Sequence, residues 1–203
     1  MNLPTGAVMA DTSQALSDED LVASTLSGDV GAFNDLVHRW EGSLYRFVYR
    51  YLGDAEEARD ICQEAFVRAY TNLDRFRGQA KFSSWLYQIA LNLARSQFRR
   101  QSSRPTVSID EDEQQSRLRL VATDQDLPED SAIQSERVRA LQRALAELPD
   151  EQRTVIILKQ YHGMKFREIA EVLGTPESTV KSRLYHGLDA LSRSLGYLKS
   201  EGL

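Results

Sequence analysis

The sequence predicts an all-α protein in which two small helical domains are joined by an extended acidic linker. Apolar residues recur every three or four positions over residues 17–100 and again over residues 133–203, which is the spacing of buried helical faces. Residues 101–132 lose this period, contain two prolines and carry the acidic run Asp110–Glu113, so we assign them to the linker. No segment shows the alternation of a strand, and residues 1–16 are expected to form a flexible tail.

Four helices are predicted in the first domain, at about 18–27, 33–51, 54–70 and 82–100. Ser17 and Asp20 form a variant of the capping box that begins the first helix. Gly53 ends the second helix and Asp54 caps the third, because glycine tolerates a left-handed terminus and aspartate accepts hydrogen bonds from free backbone N–H groups.

The second domain is predicted to contain helices at about 133–148, 150–161, 166–173 and 177–195, with Asp150 as a cap. The last two have the spacing of a helix-turn-helix. Ala170 is small where the second helix crosses, Gly174 suits the turn, and Val180 and Leu184 supply the buried face of the second helix. The alternative is an ordinary helical hairpin with a glycine turn.

The composition excludes several function classes. The net charge of −5 argues against DNA binding through bulk positive charge, so any nucleic-acid contact must come from local patches. One cysteine, Cys62, and three scattered histidines provide neither a disulfide framework nor metal-ligand spacing. We therefore expect no metal, no cofactor and no enzymatic site. Without a signal peptide or a membrane-spanning apolar run, the protein is expected to be cytoplasmic.

The segment from Arg75 to Arg100 contains no acidic residue, although the chain as a whole is acidic. Cations and aromatic rings are interspersed along it, and they are Arg75, Phe76, Arg77, Lys81, Phe82, Trp85, Tyr87, Arg95, Phe98, Arg99 and Arg100. Cations can bind phosphates and rings can stack on bases, so this pattern favours contact with a nucleic-acid strand. The alternative is a helix with an aromatic core face and a solvated basic face. Trp85 and Phe98 fit a core role best.

Three blocks of the chain resemble a bacterial RNA polymerase sigma factor of the extracytoplasmic-function (ECF) class. They are DAEEARDICQEAFVRAYTNLDRF at 54–76, FRGQAKFSSWLYQIALNLARSQFRR at 76–100 and LAELPDEQRTVIILKQYHGMKFREIAEVLGTPESTVKSRLYHGLDAL at 145–191. The resemblance implies that residues 17–100 are sigma region 2 and residues 133–203 are sigma region 4. It also implies binding to core RNA polymerase and to promoter DNA, and restraint by an anti-sigma factor.

The resemblance further implies roles for particular residues. Asp60, Gln63 and Glu64 match the positions that dock on core polymerase, although a solvated acidic face is the simpler reading. The −10 element would be read as a melted strand by Arg75, Phe76, Arg77, Lys81, Phe82, Ser83, Asn92, Arg95, Arg99 and Arg100. The −35 element would be read as duplex by Ser178, Thr179, Lys181, Ser182, Arg183, Tyr185 and His186.

A helix-turn-helix regulator that acts alone, with an N-terminal ligand-binding or dimerisation domain, is the competing hypothesis. It predicts that the purified chain binds its DNA site unaided. A sigma factor is instead expected to bind weakly until core polymerase is added.

Overall fold

The computed structural model describes residues 16–102, 140–141 and 143–200, and every regular element in these ranges is helical. The predicted linker, except its first two residues, and the predicted tail, except Leu16, lie outside the described residues. The N-terminal domain contains α1 (Asp18–Leu26), α2 (Val30–Leu52), α3 (Ala55–Thr71), a 3₁₀ turn (Leu73–Arg75) and α4 (Phe82–Ser102). The predicted order of helices is confirmed for this domain.

The described C-terminal domain begins with helical residues 140–141 and 143–147. It continues with α5 (Asp150–Ile156), a π-helical turn (Ile157–Tyr161), α6 (Phe166–Leu173) and α7 (Glu177–Ser200). The π-helical turn replaces the last turn of the helix predicted at 150–161. The beginning of the helix predicted at 133–148 falls outside the described residues.

Local signals set the helix ends of the N-terminal domain. The Ser17 hydroxyl accepts a hydrogen bond from the Asp20 backbone N–H at 3.1 Å, and the Ser17 N–H donates to the Asp20 carboxylate at 3.2 Å. Gly53 ends α2 in the left-handed region, with φ 78°, where a glycine has no Cβ to clash. Asp54 then accepts hydrogen bonds from two backbone N–H groups of α3 at 2.9 Å. The predicted capping box and both predicted caps are confirmed.

The core of the N-terminal domain lies between α2, α3 and α4. Leu36, Leu44 and Phe47 of α2 are fully buried in this core. The facing stripe of α3 is formed by the small residues Ala58, Ala65 and Ala69, all with no exposed surface. Small side chains let helices approach closely, so the three helices form one block that fixes the position of the loop before α4.

The turn between α6 and α7 has the predicted helix-turn-helix form. Gly174 ends α6 with φ 59° and ψ 38°, which is left-handed backbone. Val180 and Leu184 are buried on the inner face of α7. At Gly187, α7 crosses α5 so closely that an added Cβ would lie 2.7 Å from Cδ1 of Ile156. These contacts fix how α7 projects from its domain.

The two domains pack against each other, with α4 on α6 and α2 on the π-helical turn. Their buried residues belong to one continuous hydrophobic cluster. Asp150, predicted to cap a helix, is instead the first residue of α5, and Pro149 occupies the cap position without a side-chain hydrogen bond. The Asp150 carboxylate turns toward the N-terminal domain because cations and a tyrosine hydroxyl lie there.

Candidate nucleic-acid interface

The outer face of α7 presents a row of polar side chains to solvent. Its exposed members are Ser178, Lys181, Ser182, Tyr185 and His186. They recur at helical spacing, and the Tyr185 ring is 69% exposed although it is large and aromatic. The second helix of a helix-turn-helix contacts base edges with such a row. The structure therefore places these five predicted −35 residues on one accessible surface.

The other two predicted −35 residues are half-buried at the edges of this face. Arg183 forms an ion pair with Glu151 of α5. Thr179 lies beside the buried Val180. Lys181 is also held within its own domain, since its Nζ lies 2.9 Å from a Glu177 oxygen and 5.4 Å from the centre of the Phe166 ring. The Glu177 carboxylate therefore partly offsets the positive charge that Lys181 would present to a phosphate.

The loop before α4 exposes cations around an aromatic cluster. Arg75 and Arg77 are exposed on either side of Phe76. The half-buried Phe76 ring lies 6.1 Å from the Phe82 ring and 5.3 Å from the Trp85 ring, centre to centre. In this arrangement the Phe76 ring meets the Phe82 ring edge to face and is tilted against the Trp85 ring.

Burial separates two predicted −10 residues from the rest. Phe82 has no exposed surface and Ser83 is 7% exposed, because the start of α4 is pressed into the domain core. A DNA base cannot reach either side chain in this conformation. The sequence suggested a core role for Phe98, but this side chain is 47% exposed. The Arg153 guanidinium lies 5.7 Å from its ring centre.

Two predicted −10 cations form ion pairs with the C-terminal domain. The Lys81 Nζ lies 2.6 Å from Oε1 of Glu168 on α6. Two guanidinium nitrogens of Arg95 lie 2.8 and 2.9 Å from Oδ2 of Asp150 on α5. The hydrogen bond with Glu168 raises the pKa of Lys81. Both cations are thus engaged by carboxylates of the other domain.

A groove of about 520 Å³ lies between α3 and α4. It brings together the predicted polymerase-docking residues Asp60 and Glu64 with the predicted −10 residues Asn92 and Arg100. Gln63 is exposed on the same helix as the two acids, whereas Arg99 lies exposed near the end of α4. The structure therefore groups Asn92 with the acidic face and not with the loop at 75–81.

The sequence did not reveal a polar cluster in the domain interface. The Tyr87 hydroxyl lies 3.1 Å from Nδ1 of His162 and 2.9 Å from the Ser43 hydroxyl. Burial raises the pKa of Tyr87 to about 12. Burial, assisted by the charges of Arg50 and Arg46, lowers the pKa of His162 to about 4, so the imidazole is neutral.

Asp150 is the centre of a second cluster in the interface. Its carboxylate accepts from the Tyr51 hydroxyl and from Arg95 of the N-terminal domain. Arg153 lies 3.5 Å from the same carboxylate and places its guanidinium 4.7 Å from the Tyr51 ring centre. Burial and the hydrogen bond to Asp150 raise the pKa of Tyr51 to about 12.

Among the described residues, no group of histidine, cysteine and acidic side chains could hold a metal ion. Over the same part of the chain, no helix combines the length and apolar character needed to span a membrane. Two packed helical domains, one with an exposed recognition helix, have the architecture of a DNA-binding transcription protein.

Comparison with known proteins defines the family. Sigma-70 region 2 matches residues 36–104, and sigma-70 region 4 matches residues 138–191. ECF RNA polymerase sigma factor SigW of Bacillus subtilis (strain 168) is 40% identical over 172 residues, which are 83% of this chain and 91% of SigW. RNA polymerase sigma-H factor of Pseudomonas aeruginosa is 32% identical over 91% of this chain and 96% of its own length.

The solved structure of CnrH in complex with the cytosolic domain of CnrY has the same fold. It matches with a TM-score of 0.65 at 27% identity, covering 89% of this chain and 97% of that one. The chain belongs to the ECF class of RNA polymerase sigma factors. Sigma factors are transcription initiation factors, and this one directs promoter-specific initiation by core RNA polymerase.

Proposed function

We propose that α7 reads the −35 element as duplex DNA and that the segment from Arg75 to Arg100 holds the −10 element as a melted strand. The observation that carries this proposal is the exposed polar row on α7, at the position where a helix-turn-helix meets the major groove. On the same chain, Arg75 and Arg77 supply a second, strand-binding surface, because exposed cations attract phosphates. The chain takes part in recognition and not in catalysis.

Energetics favour a role inside a larger complex. Separating about ten base-pair steps costs roughly 14 kcal/mol at about 1.4 kcal/mol each. Each captured base returns about 1–3 kcal/mol by stacking. The aromatic cluster around Phe76 is small and half-buried, so it can hold only a few bases. Core polymerase must supply the rest, and the chain captures a strand that the holoenzyme has opened.

The acidic surface of α3 is the proposed docking site for core polymerase. Asp60, Gln63 and Glu64 are exposed on this helix, and the first and last line the groove against α4. Arg68 holds one Glu64 oxygen at 2.6 Å, which orients that carboxylate. A basic helical surface on the polymerase would complement these charges.

We also infer a restraining partner, an anti-sigma factor, that acts with this chain in the cytoplasm. Family membership supports it, and the related CnrH was solved with the cytosolic domain of a second protein, CnrY. Such a partner would cover surfaces needed for polymerase or DNA.

The deciding experiment uses a genomic promoter pool and combines run-off transcription with footprinting. Each assay is done with and without core polymerase. We expect −35 protection and transcription to need both proteins. The variant S182A/Y185A should lose at least about 30-fold in −35-dependent transcription, from about 1–3 kcal/mol for each of the two lost base contacts. R193A is the matched control, since Arg193 lies further along α7 and pairs with Asp189. Strong footprints by the chain alone would support the stand-alone regulator instead.

A further inference from the structure

The lysine and the arginine of the predicted −35 set each form an ion pair with a carboxylate of their own domain. The Lys181 Nζ lies 2.9 Å from a Glu177 oxygen, one turn earlier on the same helix. Arg183 is paired with Glu151, which comes from α5. Neither pair involves the N-terminal domain, so both are properties of the C-terminal domain itself.

These ion pairs are open to solvent on the side of α7 that would face DNA. The side chains of Lys181 and Glu177 are 48% and 46% exposed, and that of Glu151 is 57% exposed. Ion pairs this exposed contribute little to folding stability. Each acid also lies in the first turn of its helix, where a negative charge is favourable, but this effect does not require the carboxylate to reach a cation. Their placement beside the DNA-reading residues therefore points to a role in binding.

Opposite charges cancel on this part of the molecule. We call it the recognition surface, and it comprises Glu151, Glu177, Ser178, Lys181, Ser182, Arg183, Tyr185 and His186. Its lysine and arginine are matched by its two glutamates. The net charge of −5 on the whole chain does not replace this local cancellation, because exposed charges more than about 8–10 Å apart are largely screened at physiological salt. The local charge therefore decides how strongly this surface attracts phosphates.

A recognition surface without excess positive charge binds duplex DNA weakly unless the sequence is right. Phosphate contacts carry no sequence information and supply essentially all of non-specific binding. The uncharged side chains of Ser178, Ser182 and Tyr185 still reach base edges, which do carry the sequence. A genome offers about 10⁶–10⁹ competing non-specific sites. Weak phosphate binding therefore keeps a free chain available to polymerase instead of spread over bulk DNA.

We propose that Glu151 and Glu177 weaken the sequence-independent binding of the free chain to duplex DNA, so that stable DNA binding waits for core polymerase. This inference rests on the proposed function, because it takes the recognition surface as the reader of the −35 element. The polymerase then supplies the affinity that the recognition surface lacks, and the base contacts of α7 select the site.

The test measures binding of the full chain, without polymerase, to a fluorescent duplex of random sequence at several salt concentrations. E151Q/E177Q should bind about 5–30-fold more tightly near 0.15 M salt. Its plot of log affinity against log salt should be steeper by about 1–2, at about 0.9 for each added phosphate contact. The matched control E147Q/D189N removes two charges from exposed positions of the same domain, where Asp189 pairs with Arg193. This control should change the affinity less than about 2-fold, because its charges are screened from the recognition surface.

Conservative variants separate the effect of charge from that of packing. E151D/E177D keeps both negative charges and both favourable first turns, so it should bind random duplex as the native chain does. The single variants E151Q and E177Q should each gain about 2–5-fold, which keeps the test informative if the double variant folds poorly.

A gain in E151Q/E177Q no larger than in the control would overturn the proposal, as would an equal gain in E151D/E177D. Failure of the proposed function is distinguishable, because S182A/Y185A would then leave −35-dependent transcription unchanged. If this inference alone fails, S182A/Y185A still loses transcription, while E151Q/E177Q binds random duplex like the control.

Discussion

The Tyr87 hydroxyl lies 3.1 Å from Nδ1 of His162 and joins α4 of one domain to the π-helical turn of the other. The ring centres of the two residues are 5.5 Å apart, and Phe47 packs on the same imidazole at 5.9 Å. A neutral imidazole suits this site because aromatic rings surround it and the charges of Arg50 and Arg46 disfavour a further positive charge. The contact between the domains therefore depends on the protonation of one histidine.

Acidification should lower the free energy of unfolding of the native protein, in which the two domains pack together. The pKa of His162 is about 4 when folded and near 6.5 when exposed, so the unfolded chain takes up a proton first as the pH falls. The stabilisation is full above about pH 6.5 and is lost as the pH falls toward 4. Between pH 6.8 and 5.2 the free energy of unfolding should drop by about 1.5 kcal/mol from this residue. Urea unfolding at the two pH values measures it.

His162→Gln is the control for the acidification experiment, because its amide is polar but does not titrate. The difference in unfolding free energy between the two pH values should shrink by about 1.5 kcal/mol in this variant. The lowered pKa of Glu168 keeps that carboxylate ionised throughout this window. An equal pH dependence in both proteins would show that His162 does not carry the effect.

Replacing Gly187 with alanine should destabilise the C-terminal domain by about 1 kcal/mol. The added Cβ would lie 2.7 Å from Cδ1 of Ile156 and 3.3 Å from Cβ of Gln152, and Ile156 is only 2% exposed, so the contact has little room to relax. Thermal unfolding of G196A provides the comparison, since nothing lies within 4 Å of that position on the same helix. G196A should be neutral or up to about 1 kcal/mol more stable. Similar gains in both variants would contradict the close crossing.

Removing Arg75 and Arg77 together should weaken binding of the holoenzyme to a melted −10 strand and flatten its salt dependence. Two lost phosphate contacts on a single strand lower the slope of log affinity against log salt by about 1.4. R167A/R193A removes the same charge from exposed positions that form ion pairs within the C-terminal domain. Titrations with a fluorescent strand at several salt concentrations provide the slopes, and equal slopes for the two variants would exclude the phosphate role.

Cys62 should resist thiol reagents in the native protein. The side chain is buried on α3, and burial raises the pKa of its thiol to about 12, so almost no reactive thiolate is present at neutral pH. Modification should become fast only in denaturant, as a colorimetric disulfide exchange assay can follow. Rapid labelling of the folded chain would reveal an opening of the N-terminal core and would make Cys62 a candidate redox site.

Helices and their ends were predictable because their causes are local. The capping box at Ser17 and the glycine termini at Gly53 and Gly174 depend on neighbours within four residues. Phe82 was misleading for the opposite reason. Its place among cations suggested contact with DNA, but the side chain has no exposed surface because it lies in the hydrophobic core with side chains from other helices.

The contacts between domains could not be predicted, because their partners are distant in the chain. Tyr87 and His162 are 75 positions apart, and Lys81 and Glu168 are 87 apart. No period or motif connects such pairs. Asp150 resembled a helix cap by its local sequence. Its carboxylate points elsewhere because Arg95 and Tyr51 of the other domain donate hydrogen bonds to it.

The two faces of α7 are constrained to different degrees. Val180, Leu184 and Gly187 meet the domain core and tolerate little change. Ser182, Tyr185 and His186 on the opposite face contribute nothing to that core, so they can be exchanged at almost no loss of stability. If this face reads the −35 element as proposed, a duplicated copy of this gene could therefore drift toward a new set of promoters through a few surface substitutions, while its fold and its attachment to polymerase stay intact.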